Sequence, residues 1–297
     1  MNKDDIVREI ESSITKFQGK IPAIQEEIYK EVMLLVKDLE IKDGFLKNSV
    51  ANIKRINTLK KKLEKIILND DYKANAKDFI KTFDAVGKLN NEYYKDLEKK
   101  FTPPKVLDAI KTQSVTSAVE SLTEAGIAQG VIKPIFEILR TNITTGGSIV
   151  DMQDILKTFI QKSDASVGVL ERYTSQITTD AINQYNAIYN ETIAMDLGWD
   201  WFEYVGSNID TTRTFCIACT KKRYIHRNEF PQVIRGDFPE FKDLDGQIYD
   251  KTKLPQGMIE GTNESNFPTY RGGYNCGHQM YPVPRTNVPK TIRDKFK

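Results

Sequence analysis

Residues 199–219 read WDWFEYVGSNIDTTRTFCIAC, and the fold class turns on this stretch. From Trp199 to Val205 only Asp200 and Glu203 are polar, and such an aromatic, β-branched run is what strands prefer. From Gly198 to Pro284 the chain is rich in Gly, Pro, Asn, Asp and aromatics, which suits short strands joined by turns. Upstream, apolar residues recur at helical spacing. The expectation is an α+β chain, mostly α-helical over its N-terminal two-thirds, with a small C-terminal α+β domain of short strands and loops.

The helical part divides at its breakers. Ile6, Ile10, Ile14 and Phe17 share one helical face, and Gly19 and Pro22 interrupt it. Ile24, Ile28, Val32, Leu35 and Leu39 form the next face. Asp43-Gly44 breaks the pattern before a stripe of Leu46, Val50, Ile53, Ile56, Leu59, Leu63 and Ile66. Asn69-Asp70-Asp71 ends that stripe and caps a helix carrying Phe79, Phe83, Val86, Leu89, Tyr93 and Leu97. Pro103-Pro104 is the clearest stop, since proline lacks the helix donor and constrains its predecessor. Val106 to Arg140 is helical with interruptions at Gly126 and Gly130, residues 144–148 form a loop, and helices follow over 149–162 and 168–196. Three segments result: 1–103, 104–168 and 169–297.

Bulk properties exclude several classes. The chain has 297 residues, 39% hydrophobic and 28% charged, enough apolar material for a core. A net charge of +2 argues against a nucleic-acid binder that works through global charge. The apolar run Val32–Val36 stops at Lys37-Asp38, far short of a membrane span. MNKDDIVREIESS has no apolar signal core. Three cysteines do not make the framework of a small secreted fold, so a reducing cytoplasm is the expected place of synthesis.

All three cysteines fall in the last third. Cys216 and Cys219 form C-x-x-C; Cys276 and His278 form C-x-H. Two close pairs of soft or borderline donors are what a tetrahedral zinc site requires, and the second pair closes a long loop. Cys216, Cys219, Cys276 and His278 are therefore the candidate ligands of a structural zinc, with all four positions filled by protein and no catalytic residue. The alternative is a set of buried or exposed thiols beside an ordinary histidine. Asp210 and Arg213 precede Cys216, and an Arg fork there suits a carboxylate or a turn's carbonyls. Gly272-Gly273 permits a tight turn or a close backbone approach; no Lys-Ser/Thr follows as a P-loop needs. His226 is isolated.

The stretch from Tyr204 to Cys216, then Lys222-Arg223-Tyr224 and Asn228-Glu229-Phe230, resembles the C-terminal domain of the phage Mu F-type minor head proteins, also called phage head morphogenesis proteins. So does the closing run from Arg271 through Cys276 and His278 to Pro282-Val283. In that family an Asp/Arg-bearing segment leads to a Cys or His, a short strand pair follows, and a late Asn-Cys-x-His/Cys segment runs into a final strand and proline. The likeness covers roughly residues 170–285. Gly277 stands where an Arg is common in the family, and Lys221-Lys222 replace its usual Gly-Lys. The resemblance implies a non-enzymatic virion protein of a tailed bacteriophage, made in the host cytoplasm. It would be present in multiple copies, be associated with portal or capsid, and aid head assembly or DNA packaging.

Lys54, Arg55, Lys60, Lys61, Lys62 and Lys65 decorate the stripe from Leu46 to Ile66. They are candidates for contact with packaged DNA or an acidic portal face; an ordinary solvated helix face has the same composition. The enzyme alternative is a zinc nuclease or toxin-like effector, in which His226 would act almost alone. A zinc deaminase would want an H-x-E or C-x-E upstream of P-C-x-x-C, and neither is present.

Overall fold

The computed structural model describes residues 2–163, 167–244 and 254–296. Part of the expected strand-and-turn region, residues 245–253, lies outside the described residues. The chain runs through α1 (Lys3–Gln18), α2 (Ile21–Lys37), the strands β1 (Ile41–Lys42) and β2 (Phe45–Leu46), α3 (Val50–Ile67) and α4 (Asp70–Leu97). Then come α5 (Val106–Leu122), α6 (Glu124–Ile127), a π-helical turn at Ala128–Ile132, α7 (Lys133–Thr145), α8 (Ile149–Ile160) and α9 (Val169–Leu197). The C-terminal part holds β3 (Trp201–Val205), α10 (Thr214–Lys222), β4 (Tyr224–His226), α11 (Phe230–Ile234), α12 (Pro239–Lys242), α13 (Phe267–Tyr270), β5 (Gln279–Val283) and α14 (Lys290–Arg293). This is the expected mostly helical chain with a small antiparallel sheet near its C-terminus. Among the described residues no helix is long and apolar enough to cross a membrane.

Two compact units result, and neither is a continuous segment. The first comprises Met1–Ser12, Lys81–Val115 and Thr179–Lys297; the second comprises Ser13–Ile80 and Thr116–Thr178. Pro103-Pro104 does separate two helices, α4 and α5. Yet residues 81–97 and 106–115 on either side belong to the same unit, so this break in the chain is not a break in the packing. The unit boundaries fall inside α1, α4, α5 and α9, where the helical periodicity of the sequence runs on without a signal.

In the second unit, α2 packs on α3 and α8, and α7 packs on α3 and α8. Ile24, Ile28, Val32 and Val36 of α2 meet Ile56, Leu59, Leu63 and Ile67 of α3 in the buried layer. Two members of the expected α3 stripe stay out of this layer: Leu46 is in β2, and Val50, the first residue of α3, is exposed. Asp43-Gly44 is more than an interruption. Both residues have positive φ, 52° and 83°, and they turn β1 back on β2 with Ile41 opposite Leu46 and Lys42 opposite Phe45. Asp-Gly is a favoured two-residue hairpin turn for this reason. Asn52 pins the hairpin to α3. Its side chain donates to the carbonyls of Glu40 and Lys47 at 3.1 and 2.8 Å and accepts from the Glu40 amide at 2.8 Å. Asn69 caps α4 as expected, its Oδ1 accepting from the Tyr72 amide at 2.8 Å.

In the first unit, three strands lie in the order β4-β3-β5, all antiparallel. Trp201, Phe202, Glu203 and Tyr204 of the central strand are all buried. Phe202, Phe215, Phe230, Phe238, Phe241 and Phe267 gather into one core with α10 and its neighbours. Glu203, a charge inside the sheet, is neutralised by Lys3 and by Arg223 Nε at 2.8 Å. A polar ladder joins α4, α9 and β5. Asn90 donates to Asn186 at 2.7 Å and Tyr94 to Asn190 at 2.8 Å. Asn186 donates in turn to Gln279 at 2.9 Å, and Gln279 to Asn183.

Candidate metal centre

The sheet register places the site. Val205, the last residue of β3, pairs with Gln279, the first of β5. Gly206 and His278 are therefore the next residues beyond that pair, at the same end of the sheet. Helix α10 packs on β3 and carries Cys216 in its first turn. Cys276 lies in the loop before β5. The ligand atoms of Cys216, Cys276 and His278 all lie within 4.8 Å of one another, and each residue is buried. The two sulfurs are 3.8 Å apart.

Three groups fix this arrangement. Tyr204 donates from its hydroxyl to Cys216 Sγ at 3.5 Å and lies 3.9 Å from Cys276 Sγ. Its ring stacks on the His278 imidazole, with centroids 5.5 Å apart. Arg213 donates to the carbonyls of Gly272 and Tyr274 at 2.7 and 2.6 Å. It thus ties the start of α10 to the loop that brings Cys276, and its fork serves a turn's carbonyls. Asn275, with a positive φ of 56°, donates from its backbone to Asp180 at 2.8 Å and anchors that loop to α9. His278 Nε2 is 3.3 Å from Asn208 Oδ1.

Close approach explains two glycines. A Cβ on Gly272 would lie 2.2 Å from Cys216 Sγ and 3.1 Å from Cys276 Sγ. On Gly206, at φ +149°, it would lie 2.6 Å from His278 Cδ2. Both distances are below any normal contact, so the backbone is cleared around the donor atoms.

The electrostatics favour one thiolate. The hydrogen bond from Cys216 holds Cys276 well below the usual thiol range, helped by His278 and the Arg271 cation and opposed by burial. Cys216 is raised correspondingly by that same bond and by burial. Two buried sulfurs in hydrogen-bond contact, one of them with its thiolate form favoured by its neighbours, suit a cation, whose binding would drive off their protons.

The expected fourth ligand does not join them. Cys219 is fully buried among the phenylalanines of the core, and burial pushes its thiol well up. The C-x-x-C lies on helix α10, not on a turn. Three residues along a helix displace a side chain by about 4.5 Å along the axis and about 60° around it, enough to turn Cys219 into the core. The group that the structure assembles is Cys2His, able to hold a metal ion, with no fourth Cys, His, Asp or Glu among the described residues. Its three members line a cavity of about 340 Å³ together with Glu11, Ser207, Ile209, Thr211, Thr212, Arg213, Asn275 and Gly277.

His226 stands apart from this group. Its Nδ1 accepts from the Asn228 amide at 3.1 Å, and its ring packs on Trp201 and Phe296 with centroids 4.9 and 4.8 Å away. The sequence assigns no site role to Tyr204, Gly206 or Glu11, although the first two fall in the stretch that carries the resemblance. Tyr204 and Gly206 look like ordinary strand and turn residues, and Glu11 lies in a different segment of the chain. The chain matches no protein-family model, no curated protein and no solved structure.

Proposed function

We propose that this chain is a structural and assembly component of a tailed bacteriophage head, associated with portal or capsid, and that its Cys2His group takes up zinc. One observation supports this best. The two segments that carry the likeness to the minor head proteins, 204–230 and 271–283, are far apart in sequence but form a single site: β3 pairs with β5, and Cys216 meets Cys276 and His278. Zinc fits the donor set, since two thiolates and an imidazole suit a borderline-soft ion. Bridging α10 to the loop before β5 would add its binding energy to the stability of the fold.

Contact with packaged DNA would draw on part of the basic face of α3. Lys62 pairs with Glu31 at 2.6 Å, Lys60 with Glu64 at 3.9 Å and Arg55 with Glu40 at 3.6 Å. Lys54, Lys61 and Lys65 are exposed, and phosphates would meet these first. The nuclease alternative draws no support from His226, whose ring and Nδ1 are committed to packing and capping.

Purified heads and proheads, probed with an antibody to this chain, should contain it, and the recombinant chain should retain the portal protein in a pull-down. Absence from both particles together with no portal binding would overturn the assembly role. Elemental analysis of protein purified without chelator should find stoichiometric zinc that Cys276→Ser abolishes.

A further inference from the structure

The three candidate ligands share one feature beyond their proximity: all of them line the same 340 Å³ cavity. Zinc in proteins takes four ligands, and where only three come from the protein the fourth is water or substrate. Here the fourth direction is not closed by Cys219, which belongs to the aromatic core and does not line the cavity. The cavity wall is polar where a bound molecule would need partners. Ser207, Thr211 and Thr212 bring hydroxyls and Asn275 an amide. Two thiolates and a neutral imidazole would cancel the charge of a divalent ion. Two charged residues remain on the wall: Arg213, whose fork is held by the carbonyls of Gly272 and Tyr274, and Glu11, whose ligand atom is not among the three that cluster.

We infer that a metal ion held by Cys216, Cys276 and His278 keeps an exchangeable fourth position facing this cavity, occupied by water and open to a small monodentate anion. This rests on the metal-binding reading above and adds a ligand-binding role to a centre otherwise regarded as a staple. A closed four-protein-ligand site holds parts together; an open one also presents a Lewis-acidic ion to whatever enters the cavity.

X-ray absorption on the zinc-loaded full chain tests it. The expected shell is two sulfurs at about 2.3 Å and two nitrogen or oxygen atoms at about 2.0–2.1 Å, unchanged in Cys219→Ala. In the cobalt(II)-loaded protein, sodium azide should shift the visible absorption bands. A shell of three sulfurs, or cobalt bands that azide leaves unmoved, would overturn the inference while leaving metal binding intact. The wild-type shell alone decides the sulfur count should the variant not fold. Failure to load either metal would overturn the metal reading itself, and this inference with it.

Discussion

Gly272 is the residue on which the site's geometry turns. Its missing side chain lets the loop backbone approach both sulfurs, and a methyl group there would sit 2.2 Å from Cys216 Sγ. Gly272→Ala should displace a sulfur, lower zinc affinity and destabilise the fold by about 1–3 kcal/mol, the usual effect of overpacking. Gly277 provides the control, because a Cβ there meets nothing within 4 Å. Gly277→Ala should leave the urea midpoint and the zinc content as in wild type. Equal behaviour of the two variants would show that the approach of Gly272 to the sulfurs does not matter. His226 makes a second prediction at this scale. Burial lowers its pKa below the ordinary 6.5, and its Nδ1 accepts the hydrogen bond that caps the turn at Arg227–Glu229. As pH falls through about 6.5 the unfolded chain takes up a proton first, so stability is present above that value and is lost toward the lower folded pKa. His226→Asn keeps a capping acceptor without the titration. Its urea midpoint should therefore vary less between pH 7.5 and pH 5.5 than that of wild type.

Among the elements, α9 carries the least expected feature. Of the residues at helical spacing along it, Ile182, Tyr185 and Ile193 are buried and Ile177 and Ile188 half-buried, but Asn183, Asn186 and Asn190 are buried as well. These three share a helical face through their spacing of three and four. Their partners lie on α4 and β5: Asn186 accepts from Asn90 and donates to both Gln279 and Tyr281, while Asn190 accepts from Tyr94 and its Nδ2 has no protein partner among the described residues. Unpaired buried polar groups are expensive, while a satisfied network fixes one arrangement. Asn186→Ala should lower stability by an amount on the order of 1–3 kcal/mol, seen as a lower urea midpoint. A change within a few tenths of a kcal/mol would mean that water replaces the lost bonds. The sequence showed where α9 runs but not that its asparagines face inward. An amide that is isolated along the chain reads as solvated, and only its partners on another element make it a core residue.

Across the whole molecule, the first unit draws on three separated segments, 1–12, 81–115 and 179–297. Of the region that reads as a C-terminal domain, 169–297, residues 179–297 are one part of this unit and residues 169–178 belong to the other. Tyr94 and Asn90 on α4 lie outside that region but complete the polar ladder of α9. A fragment of residues 169–297 should lose the cooperative thermal transition that the full chain shows by circular dichroism. A fragment that melts as sharply and as high as the full chain would show that residues 81–115 are dispensable.

Composition and periodicity alone determined the helical character of residues 3–197 outside the hairpin at 41–46, the stop at Pro103-Pro104, the cap at Asn69, and β3 as a strand. They also singled out Cys216, Cys219, Cys276 and His278, because soft donors in close pairs are rare enough to stand out. These are local properties, set by propensity and by neighbours a few residues away. The tertiary structure alone decided that Cys219 turns into the core, that Gly272 and Gly206 clear space for the donor atoms, and that Glu11 faces the same cavity as the cysteines. Each of those outcomes depends on which distant segments meet, and that is set by the pairing of β3 with β5 and the seating of α10 on the sheet.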